Sequence, residues 1–360
     1  MDTFNLRDLP LVVRRHVLRK TEIIDLYNFS LISKETYAMV KKAFVPTMIR
    51  LEFCKTFIVV YFWAPENRKG LNWMFASPAV YPFYESMGYQ FLDNSVFLQG
   101  MEFKYQYILD NDKPSRTFFM PLLDAPTKLN TLFSYFSDLF NCTQYDHVLF
   151  DIKFTQCYRT FLTALEIRKV EFLEFSKSPI TGNDLVSVLD CLDGTEELAI
   201  DVPFTGYLDC NKINALNFIQ CKQIDVKAAA FLKLNIPNIY LKGVRLSEKV
   251  LFRFVSKWLK STDTQLVSVI LKIQEPRTWS FAEQFYLKLG ALRWDYRRRA
   301  KVYKCNKRYL FFDAATCSTV KEWDCSEARD IVRSDGVLAS IRLTETSFEM
   351  FVWHKRFNDY

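Results

Sequence analysis

Residues that could perform chemistry are few and scattered in this sequence of 360 residues. The three histidines, His16, His147 and His354, lie far apart, and none of the nine cysteines forms a Cys-x-x-Cys pair. A zinc site usually draws its ligands from close Cys or His pairs. We therefore predict no metal site, no cofactor and no catalytic residue. A nucleophilic Cys-His pair stays open, since such partners can meet only in the fold.

Phosphate-binding and acid–base motifs are also missing from the sequence. The nine glycines form neither GxGxxG nor GxxxxGK[ST], which are the usual phosphate-cradling loops. Asp184, Asp190 and Asp193 cluster around a predicted helix, where a solvated helix face explains them better than paired acid–base catalysis. An enzyme without a familiar motif remains an open class.

Basic residues concentrate near the C-terminal end. Residues 291–310 hold eight Lys or Arg and one Asp, so this stretch carries +7, the net charge of the whole chain. Tyrosines interleave with the cations, which suits base stacking, so a nucleic-acid-binding module over 293–308 is the alternative function. We favour the polar face of a hairpin and consider nucleic acid an unlikely partner. An acidic or phosphorylated protein segment is a third reading, with Arg297, Arg298, Arg299 and Lys301 as its possible substrate-binding residues.

Composition indicates a folded protein of the cell interior. Hydrophobic residues make up 49% and charged residues 25% of the chain, as in globular domains. The odd number of scattered cysteines favours free thiols in a reducing compartment, so we expect a cytoplasmic or nuclear protein. No signal-peptide pattern is present at the start. The longest apolar runs, such as residues 57–64, fall far short of a membrane span of about 20 residues, so no membrane is expected.

Hydrophobic spacing predicts three short helices over residues 4–43. Pro10 can occupy the first position of the first helix, with Asp8 as its N-cap. Ser33 caps the third helix, but Glu35 stands one position too early to complete a capping box. Three helices of this size enclose little core of their own.

The rest of the chain predicts an α+β or α/β fold. From residue 147 strand-like and helix-like runs alternate every 20 to 30 residues, a spacing typical of leucine-rich-type solenoids; a general open α/β domain is the alternative. We predict a helical domain at 1–46, a β-rich entry segment at 47–145, an irregular leucine-rich-repeat-like α/β region at 146–278, and a C-terminal antiparallel β-meander or cap at 279–360.

The first 43 residues resemble an F-box. The resemblance rests on Leu6, Leu9-Pro10, Val13, Val17-Leu18, Asp25-Leu26 and the run from Phe29 to Lys34. The sequence departs from the pattern at Tyr37, where many members place a Trp one or two positions away, and at Lys20-Thr21, where an apolar residue is more usual.

Two later stretches are similar to the associated region of the large nematode F-box family. One is NIYLKGVRLSEKVLFRFVSKWLKS, which ends on a segment bearing Trp258. The other is RDIVRSDGVLASIRLTETSFEMFVWH, which contains Asp335-Gly336 and Val352-Trp353. The two stretches follow the F-box in the expected order.

The resemblance implies a substrate-recognition adaptor of a Skp–cullin–F-box ubiquitin ligase, with no catalysis of its own. On this basis the F-box binds a Skp-type subunit, and through it cullin, while the C-terminal domain presents an unknown protein substrate. The residues expected to bind the Skp-type subunit are Leu9, Pro10, Val13, Val17, Leu18, Leu26 and Leu31. All of these except Leu18 are expected to divide between the small internal core and the partner surface.

Overall fold

The chain divides into two compact units. The computed structural model describes residues 6–43, 45, 47–54, 57–64, 67–76, 91–98, 101–108, 117–121, 125–142, 145–150, 162–163, 165–177, 179–224, 226–275, 282–304, 311–313, 318–320 and 322–355. Unit 1 comprises residues 1–174 and 190–194, and unit 2 comprises residues 175–189 and 195–360.

The chain begins with helices and continues as an α+β structure. A 3-10 turn at Leu6–Asp8 is followed by α1 (Leu11–Lys20), α2 (Ile23–Ile32), α3 (Lys34–Ala43), α4 (Ala125–Phe140), α5 (Gly182–Leu189), α6 (Cys210–Ile213), α7 (Ala228–Phe231), α8 (Glu248–Leu259) and α9 (Ala282–Lys288). The strands are β1 (Met48–Phe53), β2 (Phe57–Ala64), β3 (Asn67–Ala76), β4 (Phe91–Leu98), β5 (Met101–Ile108), β6 (Thr117–Pro121), β7 (Tyr145–Phe150), β8 (Lys169–Phe175), β9 (Ile180–Thr181), β10 (Gly194–Thr205), β11 (Phe218–Ile224), β12 (Asn238–Val244), β13 (Ser268–Ile273), β14 (Leu292–Arg293), β15 (Val302–Lys304), β16 (Phe311–Asp313), β17 (Ser318–Val320), β18 (Glu322–Asp324), β19 (Arg329–Val332), β20 (Leu338–Thr344) and β21 (Ser347–Trp353).

The starts of the short helices differ in how they are capped. Pro10 occupies the cap position of α1 at φ −50° and ψ 143° and makes no side-chain cap hydrogen bond. The prediction that Asp8 caps α1 is wrong, because Asp8 belongs to the preceding 3-10 turn. At α3 the predicted cap is confirmed, since the Ser33 hydroxyl accepts from the Thr36 N–H at 3.1 Å. Thr36 also accepts from the Ser33 N–H at 3.0 Å, so it completes the reciprocal arrangement that Glu35 misses.

Unit 1 contains a mixed sheet with α4 packed against it. β2 pairs antiparallel with β1 and with β3, while β1–β7 and β3–β6 are parallel pairs. β5 then pairs antiparallel with β4 and β6. Phe136 of α4 stacks on Phe62 of β2 with ring centroids 3.9 Å apart. This aromatic contact fixes the helix over the sheet, and both side chains are fully buried.

Unit 2 is built on a sheet whose first strands are parallel. β9, β10, β11, β12 and β13 pair in that order, all parallel. Aligned positions on the last four strands are residues 197, 218, 238 and 268, which are 21, 20 and 30 residues apart. Asn217 and Asn238 are 21 positions apart, and Asn238 Nδ2 donates to the Asn217 carbonyl at 3.2 Å. The predicted spacing is therefore present, while the likeness to a leucine-rich repeat stays a prediction.

Antiparallel strands continue this sheet. β21 pairs with β13, β20 with β21, β19 with β20 and β14 with β19. One face carries a buried cluster that joins the sheet to residues 299–304 and 322–328, which we call the cap segment. Its members include Tyr240, Ile270 and Phe351 from the sheet and Tyr303 and Cys325 from the cap segment. The cap segment therefore covers one part of this face, and the exposed Lys242 lies beyond it on the same face.

Candidate functional site

Exposed apolar side chains concentrate on the first two helices. Val12 is 79% exposed and Ile32 is 72% exposed, although both belong to helices packed within unit 1. Folded proteins leave single apolar side chains in water routinely, but a dense group of large ones marks an interaction surface. We call this group the N-terminal apolar surface, and its members are Leu11, Val12, Val13, Val17, Leu31 and Ile32.

The residues expected to bind a partner divide between surface and core. Pro10, Val13, Val17 and Leu31 are exposed, and Leu9 is half-buried. The Leu9 carbonyl accepts a hydrogen bond from Arg14 Nη2 at 3.0 Å, which ties the start of α1 to the helix body. These five remain candidates for direct contact with a partner.

Leu18 and Leu26 are buried in the core, whereas a residue that contacts a partner must be exposed. Leu26 is 0% and Leu18 is 3% exposed, so both belong to the core of unit 1. Their side chains cannot contact a partner in this conformation. Each instead holds its helix in place, which corrects their assignment to the partner surface.

Sequence reasoning missed Leu11, Val12 and Ile32, the three most exposed members of the N-terminal apolar surface. Their helical phase carries a signal that could have found them. Successive helix residues are about 100° apart, so Leu11, Val12 and Val13 cannot all share the buried side of α1 with Leu18. At least part of this apolar run must therefore face away from the core.

Helix α2 anchors the helical segment to the rest of unit 1. The ring of Tyr27 stacks on Phe136 of α4 at 5.5 Å and meets Trp73 of β3 edge-on at 6.1 Å. The Ser30 and Tyr135 hydroxyls are 2.7 Å apart, and burial raises the pKa of the Tyr135 phenol. One side of α2 is thereby fixed by aromatic and hydrogen-bond contacts, while Leu31 and Ile32 point away from the core.

Helix α3 adds polar contacts to α4. The Tyr37 hydroxyl donates a hydrogen bond to Asp138 of α4, and Lys41 forms an ion pair with the same carboxylate. These two donors lower the pKa of Asp138, whereas burial and the Asp138 contact raise the pKa of Tyr37. Arg19 of α1 donates to the Ala43 carbonyl at 2.9 Å, which closes the three helices on one another. The helices that carry the N-terminal apolar surface are therefore held in place by α3 and α4.

The described part of the basic segment does not place all of its cations on the surface. Arg299 is 0% exposed and its Nε donates to Asp330 Oδ1 at 2.9 Å, while the guanidinium lies 4.9 Å from the Trp353 ring centroid. Arg299 is thus a structural residue within unit 2, which corrects its place among substrate-binding candidates. Arg297 is exposed, and Arg298 is half-buried. Residues 305–308 of the predicted module lie outside the described residues.

Lys301 is exposed but already paired. Its ammonium is 3.1 Å from Asp324, and both side chains are about half exposed. Hydrogen bonds from Ser326 and then from Lys301 lower the pKa of Asp324 to about 2. Arg297 places its guanidinium 5.5 Å from the Tyr296 ring centroid. Lys301 therefore has a counter-charge within the chain, and Arg297 contacts an aromatic ring.

Other titratable residues have local structural partners. His147 Nε2 lies 2.9 Å from Glu174, and His354 Nε2 lies 2.9 Å from the Leu266 carbonyl, which it contacts as a donor. His16 is exposed on α1. The Asp184 carboxylate accepts from the Thr181 N–H at 3.1 Å and from its hydroxyl at 2.7 Å, which is a local turn contact.

The cysteines that the structure describes have free thiols, and burial suppresses the reactivity of some of them. Free cysteines in the described ranges are Cys54, Cys142, Cys191, Cys210, Cys221 and Cys325. Burial raises the pKa of Cys142 and of Cys325 to about 12, so neither is a thiolate at neutral pH. Among the described residues no group of three or more His, Cys, Asp or Glu could hold a metal ion. The helices that the structure describes include none that is long and apolar enough to span a bilayer.

Comparison with known proteins agrees with the geometry of the first three helices. A family model for the F-box domain matches residues 6–44, from the 3-10 turn to the residue after α3. No curated protein and no solved structure matches the chain. F-box domains typically bind a Skp-type subunit and in general belong to non-catalytic substrate adaptors of ubiquitin ligases. Residues 6–44 of this chain are an F-box domain.

Proposed function

We propose that this chain is the substrate-recognition adaptor of a Skp–cullin–F-box ubiquitin ligase. The N-terminal apolar surface carries the proposal, because it leaves six large apolar side chains of α1 and α2 in water. Burying apolar area is worth about 25 cal/mol per Å², so a partner that covers this surface gains considerable binding energy. The apolar side chains of a Skp-type subunit would provide that cover.

The fixed base of the F-box supports the same proposal. α2 and α3 are tied to α4 through Tyr27, Ser30 and Tyr37. A docking element that is held rigidly transmits the position of the partner to the rest of unit 1. A rigid connection of this kind suits an adaptor, whose contribution is to raise the effective concentration of substrate near the conjugating enzyme.

The chain beyond the F-box would present the substrate. Its two later stretches resemble the associated region of nematode F-box proteins, and we assign them to substrate recognition on that resemblance. The protein would act in the cytoplasm or nucleus, with cullin recruited through the Skp-type subunit. Ubiquitin transfer would be performed by other subunits, and this chain would supply proximity alone.

The experiment reverses the polarity of the exposed surface without touching the core. The double variant Val12→Glu with Ile32→Glu places two charges where the side chains are 79% and 72% exposed. We expect co-purification of a co-expressed Skp-type subunit to fall by at least about tenfold, since each carboxylate would be desolvated in the interface. The matched control is Leu287→Glu in α9, where the leucine is 80% exposed.

Thermal unfolding of the free chain separates loss of binding from loss of fold. Both variants change exposed residues, for which effects on unfolding free energy stay within about 0.5 kcal/mol. Retention of the Skp-type subunit by the double variant at the level of the control would refute the proposal.

A further inference from the structure

Three lysines lie side by side on the unit 2 sheet, beyond the part of the face that the cap segment covers. Lys242 of β12 is the register partner of Lys272 of β13. Cys221 is aligned with Leu241, so the next residues along these parallel strands, Lys222 and Lys242, are neighbours as well. Residues in register on parallel strands project from the same face. We call Lys222, Lys242 and Lys272 the lysine row.

The lysine row begins where the cap segment ends its cover. Tyr240 and Ile270 are buried in the cluster with the cap segment, and Lys242 and Lys272 follow two residues later on the same face. The face therefore changes from apolar to basic at the edge of the cap segment. Lys242 is exposed, and the side chains of Lys222 and Lys272 are 27% and 38% exposed.

The counter-charges stand at the two ends of the lysine row. Asp201 of β10 pairs with Lys222, while Glu349 of β21 lies 3.3 Å from Lys272. Glu349 is 2% exposed and is shared, because Arg342 Nε donates to it at 2.8 Å. Within the described part of the chain the Lys242 ammonium has neither an ion pair nor a hydrogen bond. The middle of the row is thus a cation between two other cations.

Sheet stability alone does not account for this arrangement. Like charges directly opposite one another on neighbouring strands are destabilising. Lysines are common on edge strands, where they prevent unwanted pairing, but β12 is paired on both sides by β11 and β13. A ligand carboxylate placed over Lys242 would relieve the repulsion.

We propose that the lysine row binds an extended acidic segment of a protein, so this inference rests on the proposed adaptor function and names a substrate class for it. Neighbouring strands are about 4.8 Å apart, so Lys222 and Lys272 are separated by about 9.6 Å. Alternate side chains of an extended peptide are about 6.7 Å apart, so two carboxylates at positions i and i+2 fit within the row.

The charge of the region also favours a protein segment over nucleic acid as the occupant. Counting Lys222, Lys242, Lys272 and Arg342 against Asp201 and Glu349 leaves the region only modestly basic. A nucleic-acid strand needs a long basic track that follows its phosphates, whereas this row spans about three strands. Asp201 at one end would repel a phosphate backbone that continued past the row.

The test measures a defined acidic probe on the full chain. The probe is a fluorescein-labelled peptide of eight residues that alternates aspartate and serine, and binding is followed by fluorescence anisotropy. We expect Lys242→Glu to weaken binding by about tenfold or more, because the lysine at the middle of the row attracts the acidic probe and a glutamate there would repel it. The matched control is Lys249→Glu, an exposed lysine on α8, which should change the dissociation constant by less than about twofold.

Three outcomes decide the inference. A selective loss in Lys242→Glu that is mirrored by weaker wild-type binding at higher salt supports it. Equal dissociation constants for the wild type, Lys242→Glu and Lys249→Glu overturn it. Tighter binding of an eight-nucleotide oligothymidine, lost in the same variant, also overturns it in favour of a nucleic-acid interface. Co-purification of the Skp-type subunit with Lys242→Glu, measured in parallel, tests the adaptor function separately.

Discussion

Helices α1 and α8 have similar lengths and opposite environments. α8 buries Val250, Leu251, Phe254, Val255 and Trp258, all on one side. α1 carries five apolar residues in ten positions, yet Leu18 alone among them is buried. Apolar content therefore does not by itself place a helix in the core. Its phase and the partners that the fold supplies decide how much is covered.

The two helices also differ in how their apolar residues are arranged around the helix axis. In α8 the buried residues follow helical spacing, and Trp258 further receives the Arg333 guanidinium at 5.0 Å from its ring centroid. In α1 the apolar residues are spread around the axis, and the side that faces the core of unit 1 buries Leu18 alone among them. α8 is covered by its own unit, whereas most apolar side chains of α1 stay exposed.

The largest effect is expected in the basic segment, where buried Arg299 and exposed Lys301 show the same contrast in environment. Arg299→Ala should lower the unfolding free energy of unit 2 by about 3 to 5 kcal/mol, because it strands the buried Asp330 carboxylate without its cation. Lys301→Ala removes an exposed pair with Asp324 and should cost about 0 to 1 kcal/mol. Chemical denaturation measures both variants. Similar losses would contradict the assignment of Arg299 as a buried structural residue and Lys301 as a surface residue.

The second prediction compares the same substitution in the two helices. Leu251→Ala in α8 removes a side chain that is 1% exposed and should destabilise the protein by about 2 to 5 kcal/mol. Leu11→Ala in α1 removes one that is 52% exposed and should change the unfolding free energy by about 0.5 kcal/mol or less. Urea denaturation of the free chain provides both values. A large loss for Leu11→Ala would show that α1 is covered within the chain.

Local signals in the sequence predicted part of this molecule well. The F-box prediction is confirmed by the match at residues 6–44, and the Ser33 cap is confirmed by its bond to the Thr36 N–H. The cap depends on residues three positions apart, and the F-box pattern lies within one continuous stretch of the sequence. The Leu9-Pro10 pair likewise marked the start of the helical segment, although the helix itself begins one residue later, at Leu11.

Contacts between distant residues account for what could not be predicted. Arg299 looked like one cation among several, because its partner Asp330 is 31 positions away. Leu26 fits a docking pattern as well as a core pattern, and only the packing of α2 within unit 1 shows which applies. The lysine row is formed from three strands, so no window of the sequence displays it.

A third prediction concerns the mobility of the two helices. Backbone amides of α1 should exchange with solvent faster than those of α8, because fewer buried contacts oppose local opening. Hydrogen exchange followed by mass spectrometry resolves the two helices as separate peptides. Adding the Skp-type subunit should slow exchange in α1 and leave α8 unchanged. Equal slowing in both helices would indicate a general stabilisation and would remove α1 as the docking element.

The smallest expected effect is a pH dependence at the exposed pair. The pKa of Asp324 is lowered to about 2 in the folded chain, against about 3.9 for an unperturbed aspartate. A lowered folded-state pKa stabilises the folded state above pH 4, and this contribution is lost as pH falls from about 4 towards 2. The difference in unfolding free energy between the wild type and Asp324→Asn should therefore fall by about half between pH 6 and pH 3.

The size of that difference discriminates between the exposed and buried pairs. Asp324 is surrounded by solvent, so screening keeps its contribution small, and added salt should reduce it further at pH 6. Asp330 is 1% exposed, so its pair with Arg299 should resist the same change of salt. A salt effect of equal size on Asp324→Asn and on Arg299→Ala would mean that both pairs sense bulk water. That result would break the contrast between buried and exposed charge on which the reading of the basic segment depends.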